Sequence, residues 1–146
     1  MPHYVNRALE SSQRFRALPI WMTLAAYGAA GVRDIVRRNC QQAKSLADWI
    51  EASPAFELLA PTTLNVVCFR AIPPADQGDG DAWNRDFLKA LNETGDVFMT
   101  PGAYGGKTGI RAAFSNWMTV QEDLDRVTKA MHTTAQTFSA RRQETE

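Results

Sequence analysis

Residues Ala103 to Asp123 read AYGGKTGIRAAFSNWMTVQED, and this stretch decides the fold. Gly105 and Gly106 admit positive φ and a tight reversal. Thr108–Phe114 is a short strand pattern with Arg111 near its middle, and it runs into a polar corner at Ser115-Asn116. Thr119 stands three residues before Glu122, the spacing at which each side chain can satisfy the other's free backbone N–H at a helix start. Behind that cap, Val120, Leu124, Val127 and Met131 repeat at +4, +3 and +4, so they share one helical face. The stretch therefore predicts turn, strand, corner and capped terminal helix, running to about Phe138, with a charged, frayed tail over 139–146.

Working outward, Asp96–Thr100 (DVFMT) predicts a strand before Pro101-Gly102. Asp81–Thr94 predicts a helix with Trp83, Phe87, Leu88 and Leu91 inward and Gly95 just past its end. Pro73–Gly80 (PPADQGDG) is a loop. Asn65–Ile72 (NVVCFRAI), rich in β-branched and aromatic residues, predicts a central strand, and Phe56–Leu59 a short one. A half-buried helix over Gly31–Ala52 turns Val32, Ile35, Val36, Ala43, Leu46, Ala47 and Ile50 inward, and Ser53-Pro54 ends it. Leu18–Tyr27 (LPIWMTLAAY) is a short apolar helix with Pro19 in its first turn and Gly28 as its stop. Residues 1–12 are expected to be loose.

The order α-α-β-β-α-β-β-α lacks strict βαβ alternation. It predicts an α+β fold, a small, mostly antiparallel sheet covered by helices, as one domain over residues 13–138. A chain of 146 residues is long enough for one core.

Sixteen basic and sixteen acidic residues leave no net charge, so the chain carries no electrostatic footprint for nucleic acid or an anionic membrane. Leu18–Val32, the longest apolar run, is broken by Pro19, Gly28 and Gly31 and falls short of a bilayer span. Cys40 and Cys68 lie in a helix and a strand pattern and read as two buried thiols. The polar start MPHYVNRALESSQRF has no apolar core of a secretory signal, and the expected compartment is the cytoplasm.

Familiar chemistries fail on spacing. In GAYGGKT the first glycine of a phosphate loop would fall at Pro101, and a strand rather than a helix follows. His3 and His132 have no ligand partners at metal spacing, and no nucleophile elbow surrounds Ser12 or Ser115. Glu122, Asp123 and Asp125 are first-turn acids of a helix. Trp21, Trp49, Trp83 and Trp117 lack the basic interleaving of a base-stacking strip and read as packing residues. Arg111 faces either solvent, on the open side of an antiparallel sheet, or a carboxylate or interdomain ion pair that its guanidinium would hold.

Taken together, several stretches resemble the group II pyridoxal-phosphate-dependent amino-acid decarboxylases, the family of the aromatic-amino-acid, glutamate, tyrosine and histidine enzymes. They are SQRFRALPIW (12–21), Tyr27-Gly28, Gly31-Val32, the helix Ile35–Ile50, Phe56-Glu57-Leu58, LNVVCFR (64–70), VFMT (97–100), Gly109-Ile110-Arg111, NWMT (116–119) and Glu122-Asp123. The resemblance covers residues 10–132 and implies the C-terminal small domain of a fold-type I enzyme. It implies pyridoxal 5′-phosphate as the parent family's cofactor, a missing large domain as partner, and a homodimeric whole enzyme. The family's Schiff-base lysine follows a histidine, and none of Lys44, Lys89, Lys107 and Lys129 does. The resemblance thus implies no catalytic, covalent cofactor-binding or metal residue in this chain, and no decarboxylation by it alone. It places Ser12 and Arg14 at the edge of the substrate pocket, with Gln13 where the family usually has a first arginine. An alternative is a free-standing module that docks on a full-length decarboxylase through Phe15, Leu18, Ile20, Trp21, Met22 and Leu24.

Overall fold

The computed structural model describes residue 15, residues 17–74 and residues 79–143, with side chains described to residue 140. Its elements are α1 (Leu18–Ala52), β1 (Phe56–Leu58), β2 (Val66–Ala71), α2 (Gly80–Glu93), β3 (Thr100–Tyr104), β4 (Lys107–Ala113) and α3 (Gln121–Gln143). The chain forms two compact units, Met1–Asp34 and Ile35–Glu146.

In the first unit, Gly28 interrupts α1 with φ 63° and ψ −178°. The break falls where the sequence predicts one helix to stop and another to start, and the predicted order holds. Only glycine takes that φ without a Cβ penalty.

The second unit is an α+β sandwich. Its sheet runs β1-β2-β4-β3, antiparallel throughout. Phe56, Val67, Phe69, Ala71, Ile110 and Ala112 alternate along their strands onto one face and are buried. Ala43, Leu46, Ala47 and Ile50 of α1, Trp83, Phe87, Leu88 and Leu91 of α2, and Leu124, Ala130 and Met131 of α3 complete the same core. Phe56 sits at its centre, with ring centroids 5.6 Å from Trp49, 6.0 Å from Phe69 and 5.8 Å from Phe87. Gly105 and Gly106 (φ 57° and 78°) make the two-residue β3–β4 turn, with positive φ at both positions as a type I′ hairpin requires.

Two asparagines on α2 tie the helix to the sheet. Asn84 accepts from the Ala71 N–H at 2.8 Å and donates to the Ala71 carbonyl at 3.0 Å. Asn92 treats Met99 in the same way, at 2.9 Å in both directions. The second clamp explains a departure from expectation. The predicted strand over Asp96–Thr100 lies at Thr100–Tyr104 instead. Met99 spends its backbone groups on Asn92, while the glycine turn fixes the hairpin register from Tyr104↔Lys107 back to Thr100↔Arg111. Pro101 is tolerated because β3 is an edge strand.

The helix start also differs from its prediction. Thr119 gives its N–H to the Asn116 carbonyl, so that N–H is not left for the Glu122 side chain, while the Thr119 carbonyl accepts from Gln42. α3 begins later, and the Asp123 carboxylate accepts from the Val120 N–H at 3.1 Å. Val120 is consequently exposed, and the inward stripe starts at Leu124. Val36, Trp21 and Trp117 are also exposed rather than packed, and Cys40 and Cys68 are half-buried free thiols. α3 continues past Phe138 to Gln143. Of the predicted Pro73–Gly80 loop, 75–78 lie outside the described residues, and Gly80 already belongs to α2.

Candidate functional site

The helix-free face of the sheet carries the charged residues. Antiparallel pairing sets Glu57 opposite Arg70, Cys68 opposite Arg111, and Arg111 opposite Thr100, so these side chains share the outer face. Arg111 is exposed, and its Nε donates to Thr100 Oγ1 at 3.3 Å. Among the described residues no carboxylate lies within ion-pair distance of it. The guanidinium is therefore held at one nitrogen, with its fork left toward solvent. Cys68 lies beside it, its thiol pushed up by partial burial and so a poor nucleophile.

A second charged group lies at the end of this face. Glu57 Oε1 is 3.5 Å from Arg70 Nε and 3.8 Å from Lys107 Nζ. Arg70 is the enclosed member, at 12% side-chain exposure. Asp81 in the first turn of α2 accepts from the Thr108 N–H at 3.0 Å. That hydrogen bond, helped by Arg70 and Arg85, holds its carboxyl below its ordinary value. These contacts join β1, β2, β4 and α2, and they were not legible in the sequence, because no local spacing pairs Glu57 with Lys107.

A pinned loop lies at the far end of β4. Arg38 donates to the Trp117 carbonyl at 2.8 Å and Gln42 to the Thr119 carbonyl at 2.7 Å. The loop and α1 line an open pocket of about 360 Å³. A more apolar cavity of about 250 Å³ lies among Ala71, Trp83, Phe87, His132 and Ala135. Neither gathers a nucleophile, a base and an orienting partner, the minimum for covalent catalysis. Among the described residues, the hydrogen-bond partner of His132 is Gln136, at 2.9 Å. Among the described residues no three potential ligands converge on a metal position. Nor is any helix long and apolar enough to cross a membrane. Ser12 and Arg14, the predicted pocket-edge residues, lie outside the described residues.

The fold is thus an α+β sandwich with one helix-covered face and one open, charged face. The model of the pyridoxal-dependent decarboxylase conserved domain matches residues 1–72. Tyrosine decarboxylase 2 of Arabidopsis thaliana is 32% identical over 123 residues, which are 84% of this chain and 23% of that protein. Tryptophan decarboxylase TDC1 of Camptotheca acuminata is 33% identical over 118 residues, 80% of this chain and 24% of that one. The crystal structure of Catharanthus roseus tryptophan decarboxylase in complex with L-tryptophan superposes with a TM-score of 0.79 at 27% identity. It covers 90% of this chain, which spans 28% of that one. Residues 1–72 are similar to the pyridoxal-dependent decarboxylase domain, and the chain spans about a quarter of the length of these relatives.

The lysines do not fit the family's cofactor. A Schiff-base lysine must be enclosed and able to shed its proton. Lys44, Lys89 and Lys107 are 71%, 77% and 57% exposed, and Lys129 is exposed as well. The hydrogen bond from Lys44 to Asp48, at 2.8 Å, raises its pKa, the opposite of what imine chemistry needs.

Proposed function

We propose that this chain is the C-terminal domain of a pyridoxal-phosphate-dependent amino-acid decarboxylase, an enzyme that converts an L-amino acid to its amine and carbon dioxide. The substrate class is an aromatic L-amino acid, the class that the relatives' names share. One observation carries the reading: the similarity runs through 84% of this chain but only 23% of the tyrosine decarboxylase. On this reading the domain over 13–138 supplies structure, and a large domain supplies the lysine and the cofactor pocket. The whole enzyme is a cytoplasmic homodimer. Ser12 and Arg14 border the pocket, and Arg111 offers its open guanidinium to a carboxylate of the large domain. Incubating the purified chain with pyridoxal 5′-phosphate and L-tyrosine or L-tryptophan should release no carbon dioxide. Turnover by the chain alone would overturn the proposal.

A second reading rests on the exposure of Ile20 and Trp21, at 65% and 66%. Here the chain is a free module that docks on a full-length decarboxylase and alters its assembly. Co-purification with that enzyme separates this reading from the first.

A further inference from the structure

The apolar groove beside Trp83 differs from the other pockets in what lines it. It holds about 250 Å³, open to solvent, among α2, α3 and the end of β2. Among the described residues that line it there is no Asp, Glu, Lys or Arg. Three other pockets each include a charged side chain, Arg38, Asp123 or Glu93.

Residue size makes the groove. Trp83 and Phe87 stand one turn apart on α2 and are at most 2% exposed, so their rings form a buried wall. Phe138 packs edge-on against both, at centroid distances of 4.8 and 6.1 Å, and holds those rings in place. Ala71 at the end of β2 and Ala135 and Ser139 on α3 also line the groove, and their short side chains leave the space that larger ones would fill. The Ser139 hydroxyl donates to the Ala135 carbonyl at 2.8 Å, so it adds little polarity there. His132 and Gln136 share the α3 face of Ala135 and Ser139, at spacings of +3, +4 and +7. Both are exposed and bond to each other at 2.9 Å, which gives the groove one polar edge.

These features select the occupant. An apolar cavity of about 150 Å³ already takes up benzene, so one ring or a fused ring pair fits this larger space. A peptide helix, about 10–12 Å across with its side chains, does not. A charged ligand would give up hydration and gain no opposite charge. A wall of two aromatic rings favours an aromatic guest, through edge-to-face or offset contact.

We propose that this groove binds a neutral aromatic molecule, one ring or a fused pair carrying a single hydrogen-bonding group. Its ring lies against Trp83 and Phe87, and its polar group meets His132 and Gln136. The site goes beyond the decarboxylase reading and does not depend on it.

The test titrates the purified chain with indole and follows amide and indole N–H signals by NMR. Saturable shifts are expected at Trp83, Phe87 and Ala135, with a Kd of about 1 mM or lower. Ala135→Leu fills the groove and should weaken binding at least about tenfold. Ser139→Leu does the same one turn on, should the first variant fail to fold. Indole-3-acetate, an anion at neutral pH, should bind at least about tenfold more weakly than indole. Phenol should bind more tightly than cyclohexanol, which matches its size and hydroxyl but lacks a π face. The proposal is overturned if the parent chain shows no saturable shift at these residues, or if the shifts centre on the exposed Phe98 and Trp117 instead. Folded groove-filling variants that bind indole as the parent does would overturn it as well. Equal binding of indole-3-acetate, or of cyclohexanol, would overturn the ligand class.

Discussion

Asn84 grips both backbone polar groups of Ala71, accepting at 2.8 Å and donating at 3.0 Å, from a position only 1% exposed. Its amide stands in for a neighbouring strand where β2 ends. Asn84→Ala strips a partner from a buried N–H and a buried carbonyl together. The expected cost is about 2–4 kcal/mol, read as a shifted midpoint in urea unfolding. Asn84→Asp keeps an acceptor for the N–H but loses the donor, and it should still cost more than an ordinary surface substitution.

Gly109 on β4 has no room for a side chain. A Cβ there would lie 2.7 Å from the Phe69 carbonyl oxygen and would overlap Leu59 Cδ1. The neighbouring strand's backbone cannot retreat without opening the β2–β4 ladder. Gly109→Ala should therefore destabilise by about 1–3 kcal/mol. Gly106→Ala meets no atom within 4 Å and should cost only its positive-φ strain, about 1 kcal/mol. Thermal unfolding of the two variants side by side separates steric from conformational cost.

Asp81 makes stability depend on acid. Its carboxyl titrates below its ordinary value of 3.8 because the charged form accepts from the Thr108 N–H. The folded chain thus binds fewer protons at this site than the unfolded chain. The stabilisation is complete above the ordinary value and is lost as pH falls through the lowered one. Asp81→Asn should flatten this part of the profile. Urea midpoints from about pH 6 to about pH 3 for both proteins check the direction, which would be wrong if the variant lost stability as steeply as the parent.

Phe56→Ala should be the most damaging core change. The ring touches Trp49, Phe69 and Phe87, and its loss leaves a cavity where β1, α1 and α2 meet. The expected cost is about 3–5 kcal/mol. Arg111→Ala, on the open face, should change the free chain's stability by no more than about 0.5 kcal/mol. In an assembled enzyme the same change should weaken domain association, and that contrast distinguishes an interface residue from a folding residue.

The sequence disclosed the parts of the fold that local chemistry writes. Gly105-Gly106 marked the hairpin, Trp83, Phe87, Leu88 and Leu91 marked the buried face of α2, and Gly28 marked the break in α1. What it hid depends on contacts far apart in the chain. Met99 looks like a strand residue until Asn92 is seen to occupy its backbone groups. Thr119 looks like a cap until its N–H is seen to go to the Asn116 carbonyl and the Asp123 carboxylate to take the Val120 N–H instead. Val36 and Val120 fit an inward stripe by spacing, yet each is more than half exposed, because periodicity does not say where a packed surface ends. Of the candidate site, Arg111 was visible as a charge within a strand. The Glu57–Arg70–Lys107 group was not, since strand pairing alone brings it together.

The central claim is that this chain acts as part of a larger decarboxylase. An antibody raised against the domain, used on a denaturing gel of source-cell lysate, tests it most directly. The account predicts a band several-fold heavier than 16.2 kDa that also carries reducible pyridoxal phosphate. A single band at 16.2 kDa, with no heavier species, would contradict it and turn attention to a free module and its docking partner.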